Sequence, residues 1–168
     1  MKMTTMGTLG LVLTVFAIGA SAQAVNPAKL KVNGIGLDST YSQVVKALGK
    51  PISDGKPTRE ECIGGREKSV KFDGATFYLM DGDSPNRKTF EVKSFDITSS
   101  KYSVSGIKIG DTELTVRRRL GTKFEKQDAE PGGDVWSYQF DDQNNPGSTS
   151  IYISKGKVTK ITSGYMVC

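Results

Sequence analysis

The 168-residue chain contains no histidine. Histidine is the usual general base near neutral pH and a frequent ligand of transition metals, so its absence excludes histidine-based catalytic triads and most zinc or copper sites. The acidic pairs Glu60–Glu61 and Asp141–Asp142 are adjacent in sequence. Neighbours on a strand point to opposite faces, so such pairs do not flank one scissile bond. We therefore expect no enzyme, no cofactor and no metal site.

The sequence also lacks an apolar run of the roughly twenty residues that a membrane span requires. Its longest apolar run, Leu9–Ile18, follows the charged Lys2 and precedes the small residues Gly19–Ala24. This order is typical of a cleavable signal peptide, with cleavage after Ala22 or Ala24. Residues 1–24 are thus predicted to be a signal peptide, and the protein to be periplasmic or secreted without a membrane span.

Cysteine is scarce: the chain has only Cys62 and Cys168. An even pair in an exported chain predicts one disulfide bond, here between these two residues. Two free thiols, or a link from Cys168 to a partner, are the alternatives.

The charge has no strong bias of one sign. The formal net charge is +5, and Arg117–Arg119 is the only dense basic run. A small surplus spread along an exported chain is typical of plain solubility, so we expect no nucleic-acid partner.

Two segments of the chain share a pattern at an offset of 72 residues, one starting at Gly34 and the other at Gly106. The matched pairs are Ile35 and Ile107, Leu37 and Ile109, Thr40 and Thr112, Val44 and Val116, Leu48 and Leu120, and Gly49 and Gly121. Such self-similarity predicts a tandem duplication, with repeats over residues 25–104 and 105–168. The alternative is that two unrelated short amphipathic helices share this spacing.

Each matched segment has the pattern of a short helix. We predict N-caps at Asp38 or Ser39 in the first and at Asp111 in the second. Gly49 and Gly121 should supply the left-handed residue that ends each helix. Positions 40, 44 and 48, like 112, 116 and 120, then stack on one helix face and cover a sheet.

Strand patterns follow both helices. The apolar phase slips between Val92 and Phe95, which predicts a β-bulge. The predicted strands are Ser69–Phe72, Ala75–Met80, Thr89–Ile97, Val135–Phe140, Thr149–Ile153 and Val158–Tyr165. The predicted fold class is α+β, with two tandem helix-plus-antiparallel-meander repeats and the helices on one face of the sheet.

A family resemblance adds to this interpretation. Three features of the chain carry it: an apolar pair before a threonine, a helix ending in Leu-Gly, and the strand around Trp136, Ser137 and Tyr138. Together these features resemble the β-lactamase-inhibitor-like fold. They also resemble the related SmpA/OmlA lipoprotein of the outer-membrane β-barrel assembly machine. The resemblance implies a duplicated α+β protein that binds other proteins. The lipidated cysteine of the lipoprotein is missing here, and the inhibitor's contact residues do not match position by position.

Export, the missing catalytic groups and the resemblance together predict an extracytoplasmic protein-binding module, either an inhibitor or an envelope adaptor. Its partner would be another protein in the envelope or the medium. The alternatives are an envelope structural protein without a dedicated ligand and a carboxylate-dependent cell-wall glycosidase. A fold alone does not decide between them.

Period-two alternation identifies candidate contact residues. It places Trp136, Tyr138 and Phe140 together on the helix-covered face of the sheet, and it places Tyr78 and Tyr152 on the open face. Tyrosine is enriched at binding hot spots, so we expect Tyr78 and Tyr152 to contact the partner. The alternative is two ordinary half-exposed strand tyrosines.

Overall fold

The computed structural model describes residues 24–62, 64–82, 89–129 and 132–166. The predicted signal peptide therefore lies outside the described residues, except for Ala24. The helical elements are a short 3-10 helix Pro27–Lys29 and the α-helices α1 Tyr41–Leu48 and α2 Glu113–Leu120. The strands are β1 Ser53–Asp54, β2 Thr58–Arg59, β3 Arg66–Phe72, β4 Ala75–Met80, β5 Glu91–Ile97, β6 Glu125–Asp128, β7 Asp134–Gln139, β8 Gly147–Ser154 and β9 Lys157–Tyr165.

All these strands belong to one antiparallel sheet in the order β1-β3-β4-β5-β9-β8-β7-β6, with β2 also paired to β3. The predicted fold class is therefore wrong: a single large open sheet dominates, and the two α-helices have only eight residues each. Local sequence patterns predict the individual strands, but they do not predict which strands pair. The two predicted repeats form one sheet because β5 pairs with β9, for example Phe95 with Ser163, and these residues lie far apart in sequence. The division into repeats at residues 104 and 105 stays a prediction.

The hydrophobic core lies between one face of this sheet and a layer that contains both helices. Val44 of α1 and Val116 of α2 are fully buried, Leu120 is nearly so, and the half-buried Leu48 packs against the same cluster. Trp136, Tyr138 and Phe140 are also buried, as the alternation predicts. Fully burying one such apolar side chain stabilises the fold by roughly 1.5–3 kcal/mol. No helix in the described ranges is long and apolar enough to cross a membrane.

Both helices begin at a threonine, not at the predicted aspartates or Ser39. Oγ1 of Thr40 accepts a hydrogen bond from the backbone N–H of Gln43, whose Oε1 accepts one from the N–H of Thr40 at 2.7 Å. Thr112 caps α2 through the N–H of Thr115. The carboxylate of Asp38 is instead bound by Lys93 and by the Tyr165 hydroxyl.

Oδ2 of Asp111, the other predicted cap, accepts a hydrogen bond from the backbone N–H of Lys108. The predicted helix ends are confirmed, since Gly49 and Gly121 both have a φ of 85°.

The predicted β-bulge in β5 is confirmed. Tyr78 pairs with Ser94 and the next residue, Leu79, pairs with Val92, so Lys93 is the extra residue. The bulge lets both Val92 and Phe95 face the core, where each is fully buried. It also determines which residues of β5 face the opposite side of the sheet.

Candidate functional site

The face of the sheet opposite the core is lined with small polar side chains and a few large ones. Strand alternation separates these residues from their buried neighbours, so that Tyr78 is 43% exposed between the fully buried Phe77 and Leu79. We call this surface the open face. Its members include Ser69, Lys71, Thr76, Tyr78, Ser94, Asp96, Val135, Ser137, Gln139, Ser148, Ser150, Tyr152, Lys160, Thr162 and Gly164.

One row crosses the middle of the open face. Ser69, Tyr78, Ser94, Gly164 and Ser148 lie directly opposite one another on five neighbouring strands. A Cβ atom on Gly164 would lie only 2.4 Å from Cβ of Ser94, so no side chain fits there. The centre of the face is therefore a flat strip on which Tyr78 stands out.

Lys160 is one of the large side chains on the open face, and it contacts two of its neighbours there. Its Nζ lies 2.9 Å from Oδ2 of Asp96 and 5.5 Å from the ring centroid of Tyr152. Burial lowers the pKa of Lys160, but the hydrogen bond to Asp96, its charge and the nearby Tyr152 and Tyr78 outweigh burial and raise it. Lys160 is therefore a protonated cation held beside Asp96 and Tyr152 at neutral pH.

A groove borders the open face at the edge strands. It has a volume of about 640 Å³ and lies between the segment 55–62 and strands β3 to β5. Tyr78 and Ser94 line both the groove and the open face, so the two surfaces are continuous. The polar and charged residues along the groove are Lys56, Thr58, Glu60, Glu67, Lys68, Ser69 and Lys93.

The structure places both tyrosines predicted from sequence on one surface. Tyr78 and the half-buried Tyr152 lie on the open face three strands apart, and Lys160 lies next to Tyr152. Their contact with a partner stays a prediction. Sequence reasoning missed Asp96 and Lys160, although the bulge predicted before Phe95 was the signal that would have placed Asp96 on the same face as Tyr78.

The predicted disulfide joins a described residue to one outside the described ranges. Cys62 is exposed on the segment that borders the groove, and its N–H donates to Oε1 of Glu60 at 3.0 Å. Cys168 lies outside the described residues, so the pairing stays a prediction. Free alkylation of both thiols in the non-reduced protein would contradict it.

No protein-family model, curated protein or solved structure matches this chain. The resemblance to the β-lactamase-inhibitor-like fold therefore stays a prediction. Within the described part of the chain, no three acidic, cysteine or histidine side chains are grouped as metal ligands would be.

Proposed function

We propose that this protein is an extracytoplasmic binding module, an inhibitor or an envelope adaptor, that holds another protein against its open face and performs no catalysis itself. The observation that supports this most is the exposure of Tyr78, 43%, on a strand whose neighbouring side chains are buried. Tyr152 and the ion-paired Lys160 lie on the same face, and amphipathic side chains of this kind dominate protein interfaces.

The size of the open face agrees with this role. The six strands that carry it span about 24 Å, and six residues along a strand span about 20 Å. The product is on the order of 500 Å², the same order as the roughly 800 Å² that each partner contributes to a standard protein interface. An open face with this area suits a broad protein surface better than a small molecule.

Affinity capture from periplasm or culture medium tests the proposal. Bait carrying both Tyr78→Ala and Tyr152→Ala should capture a stoichiometric partner of the unmodified protein at least fivefold more weakly, because truncation of a hot-spot tyrosine costs about 1 kcal/mol or more. Thermal stability should change little. The matched control carries Ile52→Ala and Leu114→Ala, two apolar side chains that are 74% and 55% exposed away from the open face.

The control bait should capture the partner as well as the unmodified protein does. Normal capture by the tyrosine variant together with loss in the control would contradict the proposal, because the partner would then bind the helix side. A repeated absence of any partner would favour an envelope structural role.

A further inference from the structure

The positive charge of this protein is concentrated on one side of the sheet. Residues 24–52 and 98–124, which contain both α-helices and pack on the core face, form what we call the helix layer. This layer has ten basic residues and three acidic ones, Asp38, Asp111 and Glu113, a surplus of seven positive charges. The basic residues are Lys29, Lys31, Lys46, Lys50, Lys101, Lys108, Arg117, Arg118, Arg119 and Lys123.

These ten basic residues are exposed, and no described acidic residue pairs with them. All ten are exposed, and none forms a salt bridge to a residue that the structure describes. The described salt bridges use strand cations, such as Lys93 and Lys160. Acidic residues outnumber basic ones in the strand segments 53–97 and 125–168. The surplus of positive charge therefore lies in the helix layer.

The segments around Lys31, Gly106 and Arg119 lie close together, so several of these cations are neighbours. The backbone carbonyl of Lys31 accepts from the N–H of Ser105 at 2.9 Å, and that of Arg119 accepts from the N–H of Val25 at 2.7 Å. A Cβ on Gly106 would lie 3.0 Å from Cζ of Arg119, so the guanidinium lies over this turn. Lys31 and Arg119 thus flank one turn, with Lys108 two residues beyond it.

An exposed apolar side chain lies among these cations. Leu114 is 55% exposed on α2 and precedes Arg117 and Arg118 by three and four residues, so the three share a helix face. Arg117 also stacks over the ring of Trp136, 4.4 Å from its centroid. Basic residues around an apolar one are typical of surfaces that lie in the headgroup region of a bilayer. The cations alone would suffice to bind a soluble polyanion, which would gain nothing from the exposed Leu114.

We propose that the helix layer docks on a bilayer surface that carries anionic phospholipid headgroups. The charge surplus provides the attraction, and Leu114 enters the boundary between headgroups and acyl chains. Because the helix layer and the open face are on opposite sides of the sheet, a membrane-bound molecule presents its open face to the surrounding solution. This inference does not depend on the proposed partner of the open face.

Vesicle cosedimentation of the purified protein tests this inference. One set of vesicles contains phosphatidylcholine with about one-third phosphatidylglycerol, and the other only phosphatidylcholine, both at about 0.15 M salt. The test variant carries Lys31→Gln, Lys108→Gln and Arg118→Gln in the helix layer. The matched control carries Lys56→Gln, Arg59→Gln and Lys71→Gln, which remove the same charge from exposed residues outside it.

We expect the unmodified protein to bind the anionic vesicles and not the zwitterionic ones. Each basic residue near such a surface contributes about a fivefold increase in partitioning, so the helix-layer variant should partition roughly 100-fold more weakly. The control should stay within about threefold, since its charges lie outside the helix layer. Circular dichroism melts check that both variants remain folded.

Three results would overturn the inference. The first is no sedimentation of the unmodified protein with anionic vesicles. The second is equal weakening by the two variants, which would show a general charge effect. The third is binding of the unmodified protein to heparin or DNA without binding to anionic vesicles, which would identify a soluble polyanion as the ligand.

Discussion

Gly164 is the residue that keeps the centre of the open face flat. It lies opposite Ser94 at the junction of β5 and β9, where an added Cβ would meet Cβ of Ser94 at 2.4 Å. Real Cβ atoms do not approach so closely, so any side chain would force the two strands apart. The need for glycine here comes from crowding between strands.

A double-mutant cycle tests this crowding. Gly164→Ala should lower the free energy of unfolding by about 1–3 kcal/mol, as overpacking does. In a Ser94→Gly background the same substitution should cost about 1 kcal/mol less, because the clashing atom is gone. Urea denaturation of the four proteins measures the coupling. Additive effects would show that the two side-chain positions do not compete for space.

Asp81 is the most deeply buried carboxylate among the described salt bridges. Its side chain is fully buried, and it accepts from the backbone N–H of Arg66 at 2.6 Å and from the guanidinium at 2.7 Å. Burial raises the pKa of Asp81, but the hydrogen bonds and charge of Arg66 outweigh it and lower the pKa below the ordinary value of 3.8. A carboxylate with a depressed pKa stabilises the fold above that value, and this stabilisation is lost as the pH falls through its folded-state pKa.

Asp81→Asn should therefore lower the free energy of unfolding by about 2–3 kcal/mol at pH 7, because it removes hydrogen bonds to a charged partner. The difference from the unmodified protein should shrink as the pH falls below 3.8 and the native carboxyl group becomes protonated. Urea midpoints measured from pH 7 to pH 2.5 give this difference. Asp73→Asn, in an exposed turn, is the control and should have little effect at any pH. A difference that is constant with pH would contradict the role of Asp81.

The two helices are too short to be stable alone, and their N-caps help to define where they begin. An eight-residue helix gains little from propagation, so capping and packing must stabilise it. Thr40→Ala and Thr112→Ala should each cost about 1 kcal/mol, and Gln43→Ala should also destabilise α1 because it removes the reciprocal bond. Chemical denaturation measures these changes against Thr98→Ala, which is an exposed loop control. Equal effects at all four positions would contradict the capping assignment.

The elements show which features the sequence could predict. Local patterns correctly predicted the helix segments, the glycines that end them, the bulge near Lys93 and the buried side of the Trp136 strand. They did not predict the pairing of Phe95 with Ser163, because no local pattern determines which strand edges meet. The predicted N-caps were wrong because more than one polar residue at each helix start could accept the same backbone N–H groups, and tertiary contacts occupy Asp38. The ion pair between Asp96 and Lys160 could not be predicted for the same reason, because it depends on the pairing of β5 with β9.

The whole molecule has two dissimilar sides. One side of the sheet presents small polar side chains, Tyr78, Tyr152 and the ion pair between Asp96 and Lys160. The other side is covered by the basic helix layer, whose cations have no acidic partner among the described residues. A protein with such sides can hold a partner on one of them while it contacts an anionic surface with the other. The proposed function requires that the partner contact the open face.

Site-specific photocrosslinking in the native compartment tests this claim most directly. A photoreactive phenylalanine analogue replaces Tyr78, Tyr152 or, on the opposite side, Leu114. We expect illumination to produce one discrete crosslinked protein from positions 78 and 152, and not from position 114. Crosslinks to a partner from position 114 alone, or none from 78 and 152 while capture still recovers the partner, would contradict a partner-binding role for the open face.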